Sequence, residues 1–209
     1  ISVPHHADFV SSAFSVVFWA RMDDATTNEW STPITKASSG QWGDGWGFYD
    51  RQSSGQFTFW VDAYDGAPSP PASARYISIP RPTAGTYHHY VGTYDGETLS
   101  LYVDGALAGS TAAVALTSPS TSPILLGYGG FSQSGWPGAV DEVAYYDAAL
   151  TADQVLRHYE TRRQKYRAVV LQDFPKAYWP LDEEGPYGND FTLYNAQMTV
   201  QRKKHQPKG

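Results

Sequence analysis

Apolar and polar residues alternate along most of this chain with a period of two. In FSVVFWARM, Phe14, Val16, Phe18, Ala20 and Met22 fall on one face, and Val17, Trp19 and Arg21 on the other, as they do on an extended strand. QFTFWVDAY repeats the pattern, with Phe57, Phe59, Val61 and Ala63 opposite Thr58, Trp60, Asp62 and Tyr64. TYHHYVGTY, TLSLYVDG, PILLGYGG and GAVDEVAYYD continue it. In LSLYVDGALAGS, Asp104-Gly105 separates two alternating runs and predicts a two-residue hairpin turn with positive φ at both positions. About ten to thirteen strands divided by Gly, Pro and Asp turns predict an all-β, two-sheet antiparallel sandwich.

The period changes near residue 150. LTADQVLRHYE carries Thr151 as N-cap and Gln154 three residues on, a capping box, with Leu150 and Val155 spaced as a hydrophobic staple. It predicts one short capped helix near 151–162 whose Val155, Leu156 and Tyr159 face the sandwich. TRRQKYRAVVLQ extends the helical character until Pro175 stops it.

Composition narrows the class. With 209 residues and 15 Tyr and 7 Trp, the chain has the apolar area for one sizeable core. It has no Cys, which excludes thiol catalysis and Cys-based zinc sites and fits a bacterial or viral source. No run of 18 apolar residues exists to span a membrane as a helix. The sequence starts at Ile1, and its native start is expected upstream. The net charge of −6 is uneven. Residues 1–156 hold 5 Lys/Arg against 15 Asp/Glu, and residues 157–209 hold 10 against 6. An acidic body of −10 argues against nucleic-acid binding, and the basic end QRKKHQPKG reads as a solvated tail.

Taken in order, ISVPHHADF, FSVVFWARM, YHHYVGTYDGETLSLYVDG and GAVDEVAYYDAALTADQVLRHYE resemble the laminin-G-like, concanavalin-A-like jelly-roll domains over roughly residues 1–160. YRAVVLQDFPKAYWPLDEEG is similar to the linker and first strand that introduce each unit in tandem bacterial and phage proteins of this family, and YGNDFTLYNAQMTV to the second strand. Those strands ordinarily precede the segment that is here 1–9. The resemblance therefore implies a jelly roll over 1–162, a helical linker over 163–176, strands over 177–200 and a basic tail over 201–209. The strands over 177–200 have three possible fates: closing the sandwich in the same molecule, completing a neighbour, or opening a further unit. Intramolecular closure beside the N-terminal strand is favoured, because an unpaired edge strand invites aggregation.

Catalysis is not expected. Glucanases of this fold need two carboxylates flanking the scissile bond, whereas Asp141 and Glu142 are adjacent and alternation sends them to opposite faces. The pairs His5-His6 and His88-His89 split in the same way, and no Ser-His-Asp set or phosphate loop occurs. The resemblance implies calcium in some relatives, held by loop carboxylates. Asp44, Asp50, Asp62, Asp65 and Asp95 stand in or beside turns, but no spacing selects a ligand set, so the metal site is unknown. Sugars present C–H faces to aromatic rings and hydroxyls to polar groups. Trp42, Asp44, Trp46, Tyr49, Arg51, Asp62, Tyr64 and Trp136, with Phe131 and Gln133 beside them, are the candidate ligand contacts in Gly-rich segments. Trp19 and Trp179 lie within strands and are assigned to packing.

The resulting expectation is a non-catalytic, carbohydrate-binding attachment module, extracellular, on a cell surface or in a virion as a phage tail or capsid component. Its partner is a surface glycan or cell-wall polysaccharide. One alternative is a purely structural virion or array protein docked on neighbouring subunits, and a weaker one is a glucanase-like hydrolase.

Overall fold

The computed structural model describes residues 1–23, 28–38, 44–61, 75–113, 120–130, 134–161 and 163–181, the side chains of 163–165 excepted. The first strands are β1 (Ser2–Val3), β2 (Phe14–Met22), β3 (Trp30–Ser31), β4 (Ile34–Lys36), β5 (Trp46–Arg51) and β6 (Gln56–Val61). They are followed by β7 (Tyr76–Pro80), β8 (Tyr87–Tyr94), β9 (Thr98–Val103), β10 (Ala106–Ala112), β11 (Ile124–Leu126) and β12 (Gly138–Tyr146). Helices α1 (Ala152–Glu160) and α2 (Arg163–Gln172) then lead to β13 (Ala177–Trp179). One sheet runs β1-β11-β4-β5-β6-β7, with β3 on β5; the other runs β10-β9-β8-β2-β12-β13.

The alternation sets the packing. Phe14, Val16, Phe18, Ala20 and Met22 all enter the core between the sheets and meet Phe57, Phe59 and Val61 from the facing sheet. The Phe18 ring stacks on Tyr90 with centroids 5.3 Å apart, and Phe48 stacks on Phe59 at 4.4 Å, spacings at which aromatic pairs attract. Gly92 on β8 lies under this cluster. A Cβ there would come within 2.6 Å of Phe48 and 2.7 Å of Phe59, so the rings close only over a glycine.

The opposite face of the second sheet carries a smaller core. Val17, Val91, Ala144, Tyr146 and Tyr178 pack there against Leu150, Val155, Tyr166 and Val170 from the helical segment. The molecule thus has a third, helical layer. Helix α1 begins as its sequence predicts: the Thr151 hydroxyl accepts from Gln154 N, and Gln154 Oε1 accepts from Thr151 N at 2.9 Å.

Its buried face differs from the expected one. Val155 and His158 are buried, whereas Leu156 and Tyr159 stay 42% and 38% exposed. Residues three apart share a helix face, and here 155 and 158 point onto the sheet. Leu156 and Tyr159 instead overhang the β9–β10 turn. They lie against Gly105 (φ +80), where a Cβ would reach Tyr159 at 2.9 Å.

The C-terminal strand closes onto its own chain, but not beside β1. Ala177, Tyr178 and Trp179 pair with Tyr145, Ala144 and Val143 of β12, while β1 pairs with β11 in the other sheet. The two ends meet through the core, where the Phe9 and Trp179 rings lie 6.1 Å apart. The second C-terminal strand expected from the resemblance and the basic end fall outside the described residues.

Candidate functional site

Between the outer face of the second sheet and the helices lies a cavity of about 600 Å³, a size typical of small-ligand sites. Its sheet side is built on one rung, where Trp19 of β2 stands between His89 of β8 and Asp141 of β12. Trp19 lines the cavity together with Thr86, Tyr87 and His88 from the start of β8 and Asp104 from the hairpin turn. Asp141 and Glu142 of β12 and Tyr159, Glu160, Thr161 and Tyr166 of the helical segment complete it.

Strict alternation would separate Asp141 from Glu142, and that expectation is corrected here. The β12–β2 register slips between Asp141 and Ala144, and Glu142 takes a left-handed φ of 52°. This is a β-bulge, which re-aims side chains locally. The Asp141 carboxylate accepts from Glu142 N at 3.0 Å, and both carboxylates border the cavity. Glu142 also accepts a hydrogen bond from the Tyr178 hydroxyl of β13. On the other side, His88 Nδ1 faces Asp104 Oδ2 at 2.6 Å and its Nε2 faces the Thr83 carbonyl at 3.0 Å. Asp104 Oδ1 accepts from His89 N at 2.9 Å. The hairpin turn legible in the sequence is therefore tied into the cavity wall, with Asp104 at φ 50° and Gly105 at φ 80°.

A buried polar chain adjoins the cavity. His89 Nε2 lies 3.2 Å from the Tyr166 hydroxyl, and His158 Nε2 lies 2.7 Å from Asp173, which Arg157 also grips. Burial drives the pKa of His89 down to about 3, with the nearby His158 adding to the effect. Burial likewise lowers that of His158, although Asp173 opposes the shift. The pair His158–Asp173 thus holds a neutral imidazole donating from Nε2. For Asp173, burial pushes the pKa up, but hydrogen bonds from Gln154 and His158 and the Arg157 charge outweigh it and hold the value low.

These histidines give the fold an acid limit. Both have folded pKa values below the unfolded 6.5, so the unfolded chain binds more protons as pH falls from 6.5 toward 3. Stability is full above pH 6.5 and declines below it. At pH 5 the loss from His89 alone is about 2 kcal/mol. Urea unfolding at pH 7 and pH 5 checks this, and equal midpoints would contradict neutral buried histidines.

Of the ligand contacts expected from the sequence, none of the described ones lines this cavity. Trp46 is 3% exposed and Trp136 9%, and both fill the inter-sheet core instead of a loop groove. Trp46 stacks on Tyr145 at 6.1 Å, and Trp136 Nε1 donates to the Arg21 and Ala139 carbonyls. Tyr49 and Arg51 do meet, on the outer face of the first sheet around Trp30. The Tyr49 ring abuts Trp30 edge-on at 5.2 Å, and the Arg51 guanidinium lies 4.9 Å above it while pairing with Glu29. Burial raises the Tyr49 phenol to about 12. Asp44 accepts from Ser38 N and its hydroxyl. Trp42, Asp62, Tyr64, Phe131 and Gln133 fall outside the described residues.

Among the described residues, the carboxylates considered for calcium do not converge. Asp50 is gripped by Arg81 and Asp95 caps its own turn at Glu97 N and Thr98 N, while Asp65 falls outside the described residues. Carbonyls suited to a hard cation, those of Ser120 and Ser122, receive the Lys36 ammonium instead. Burial lowers that ammonium's pKa to about 8. Among the described residues, no three His, Asp or Glu side chains come together to hold a metal ion. Nor is any described helix long and apolar enough to cross a membrane.

Two antiparallel sheets in this order define a jelly-roll sandwich. The family model for the concanavalin A-like lectin/glucanases superfamily matches residues 1–156, and the chain belongs to that superfamily. A search of curated proteins by sequence found no match.

Similar solved structures include a Bacteroides ovatus protein described as a candidate carbohydrate-binding protein. It has a TM-score of 0.65 and 15% identity over 91% of this chain and 52% of that one. A heptameric SAP-like pentraxin from Limulus polyphemus has a TM-score of 0.55 and 18% identity over 76% of this chain and 72% of that one. Botulinum neurotoxin type C, which interacts with two ganglioside molecules, has a TM-score of 0.51 and 15% identity over 71% of this chain and 35% of that one. The chain therefore spans about half of the Bacteroides protein and about a third of the toxin chain.

Proposed function

We propose that this protein is a non-catalytic carbohydrate-recognition module of a larger extracellular or virion attachment protein, and that it holds its glycan in the cavity between the second sheet and the helices. The observation that carries this reading is the cavity's lining. Trp19, Tyr87 and Tyr159 bring aromatic surface to the wall, Trp19 and Tyr159 stacked with centroids 6.0 Å apart, while Asp104, Asp141 and Glu142 bring carboxylates. Tyr87 is 41% exposed at its rim, as a ring that meets a ligand from solvent should be. The superfamily and the glycan chemistry named for the Bacteroides protein and the toxin lend support. In this reading residues 1–162 form the sandwich, 163–176 bridge it, 177–200 complete it and 201–209 remain a solvated tail.

The test is a glycan array on the intact protein, followed by titration of the best ligand. A single anchoring aromatic ring commonly contributes about 2 kcal/mol to binding, so Trp19→Ala weakens affinity about thirtyfold. Tyr87→Ala, at an exposed position, weakens it without disturbing the core. Trp30→Ala, on the outer face of the other sheet, leaves it unchanged. Silence across the array, or a loss only with Trp30→Ala, rejects the cavity as the site.

Hydrolysis is a second reading, favoured by the bulge that brings Asp141 and Glu142 to one cavity. The two stand next to each other on one strand, and hydrolysis requires carboxyls on either side of the bond. Release of reducing ends from a bound oligosaccharide, abolished by Glu142→Gln, would establish that reading over simple binding.

A further inference from the structure

We propose that the helical layer is an acid-released cover: protonation of His89 lifts α1 and α2 off the second sheet while the two-sheet sandwich stays folded. The device rests on the reading of the cavity as a glycan site only for its consequence, release of the ligand.

His89 is the point on the sheet where both helices land. It is 1% exposed, and three rings of the helical segment enclose it. Tyr159 lies over it with centroids 6.2 Å apart, while His158 and Tyr166 meet it edge-on at 6.5 and 6.2 Å. Trp19 of β2 adds a fourth ring at 5.0 Å. The His89 ring makes one hydrogen bond, between Nε2 and the Tyr166 hydroxyl, and its Nδ1 is buried without a partner.

A neutral imidazole tolerates that arrangement, because only one of its nitrogens carries hydrogen. An imidazolium carries hydrogen on both, and the second N–H would be buried without an acceptor beside an uncompensated charge. Among the described residues, no carboxylate bonds the His89 ring. Asp104 is engaged by the His89 backbone N–H and by His88. Glu142 and Asp141 act on Tyr166, adding to burial in keeping its phenol protonated. His158 has Asp173 as a counter-charge, shared with Arg157, and Tyr146 and Tyr166 beside it. Once protonated, it would set a like charge against His89, which has no counter-charge of its own.

The sheet and the helices differ in what holds them. β8 is paired with β2 on one side and β9 on the other, so His89 stays with the sheet. The helices rest on it through side chains such as Val155, Tyr166 and Val170 and through the Tyr146 hydroxyl, which donates to the Val170 carbonyl at 3.1 Å. Lifting them hydrates His89 at the loss of that smaller core alone, while Trp179 keeps β13 in the inter-sheet core. Tyr159, Glu160, Thr161 and Tyr166 leave the cavity wall with the helices. In the open state His89 regains its ordinary pKa of about 6.5. From about 3 in the closed state, the open fraction grows about twentyfold between pH 7 and pH 5.

The chain has no Cys, so single introduced thiols report on each layer. Val155→Cys places one under α1 and Val16→Cys one in the inter-sheet core, both at fully buried positions. Labelling of the full chain by 4,4′-dithiodipyridine is followed at pH 7 and pH 5, each rate divided by that of the urea-unfolded chain at the same pH. The Val155→Cys thiol is expected to react at least about tenfold faster than the Val16→Cys thiol, through an opening smaller than global unfolding. Its protection falls about twentyfold from pH 7 to pH 5, and His89→Gln abolishes the fall. Equal protection of the two thiols means that the opening is global and overturns the proposal. So does constant protection of the Val155→Cys thiol, or a fall that survives His89→Gln. Should a variant fail to fold, hydrogen exchange on the unaltered chain, corrected for its intrinsic pH dependence, decides the same point. The Val155 and Val170 amides are then less protected than those of Val17 and Val91 and lose protection at pH 5, and equal protection or no loss overturns the proposal. None of these readings uses a glycan, so their failure leaves the glycan site standing, and silence across a glycan array leaves the acid release standing.

Discussion

Trp179→Ala is expected to lower the unfolding free energy by about 3–5 kcal/mol, the usual cost of emptying a fully buried indole site. Trp179 is completely buried in the inter-sheet core, although it lies on the last described strand, which is three residues long. Its backbone pairs with Val143 and its ring lies beside Phe9. The loss would demonstrate that the C-terminal strand belongs to the sandwich energetically as well as in register. Urea denaturation with an unchanged m-value checks it. A loss under about 1 kcal/mol would mean that the sandwich folds without β13.

Arg81→Met should have a comparable effect through a different cause. Asp50 is buried inside the first sheet, and Arg81 grips both of its oxygens at 2.5 and 2.6 Å. Even so, burial keeps the Asp50 pKa above its ordinary value, the Arg81 hydrogen bonds and charge opposing the shift. Methionine preserves most of the stem but abandons the carboxylate in the interior, which costs about 3–5 kcal/mol. The sign with pH follows. Without Arg81 the folded pKa of Asp50 rises further, so the variant's deficit is largest near pH 7 and shrinks as acid protonates the carboxyl. Unfolding curves of both proteins at pH 7 and pH 5 decide it, and a pH-independent deficit would place the cost in lost packing instead.

Much of the fold is legible in the residues because strand alternation is a local property. Phe14 through Met22 face the core in the order the pattern predicts, Asp104-Gly105 turns the hairpin, and the Thr151–Gln154 box starts the helix. The alternation around Trp46 even contains its burial: Trp46 and Phe48 share a face, and the face of Phe48 is the core. A glycine-rich neighbourhood was a weaker guide than strand parity.

The site was harder to read because it is assembled from β2, β8, the β9–β10 turn, β12 and the helices, elements far apart in sequence. Its decisive local feature, the bulge at Glu142, breaks the alternation on which the separation of Asp141 from Glu142 depends. The acidic pair within an otherwise apolar strand was the available signal. Trp19 looks like packing from its strand alone, and it does pack on Tyr159 and Tyr166 of the helical layer while also bordering the cavity. Leu156 and Tyr159 carried a second signal, since a helix with two adjoining apolar stripes has more than one surface to meet.

The most direct test of the cavity as the ligand site is to follow the indole N–H resonances of the seven tryptophans while titrating the best array glycan, with Trp19 assigned from Trp19→Phe. The account predicts that the Trp19 signal shifts and saturates with the binding curve while those of Trp30 and Trp60 stay in place. Movement of Trp30 or Trp60 with Trp19 unmoved would contradict it and carry the site to the other sheet.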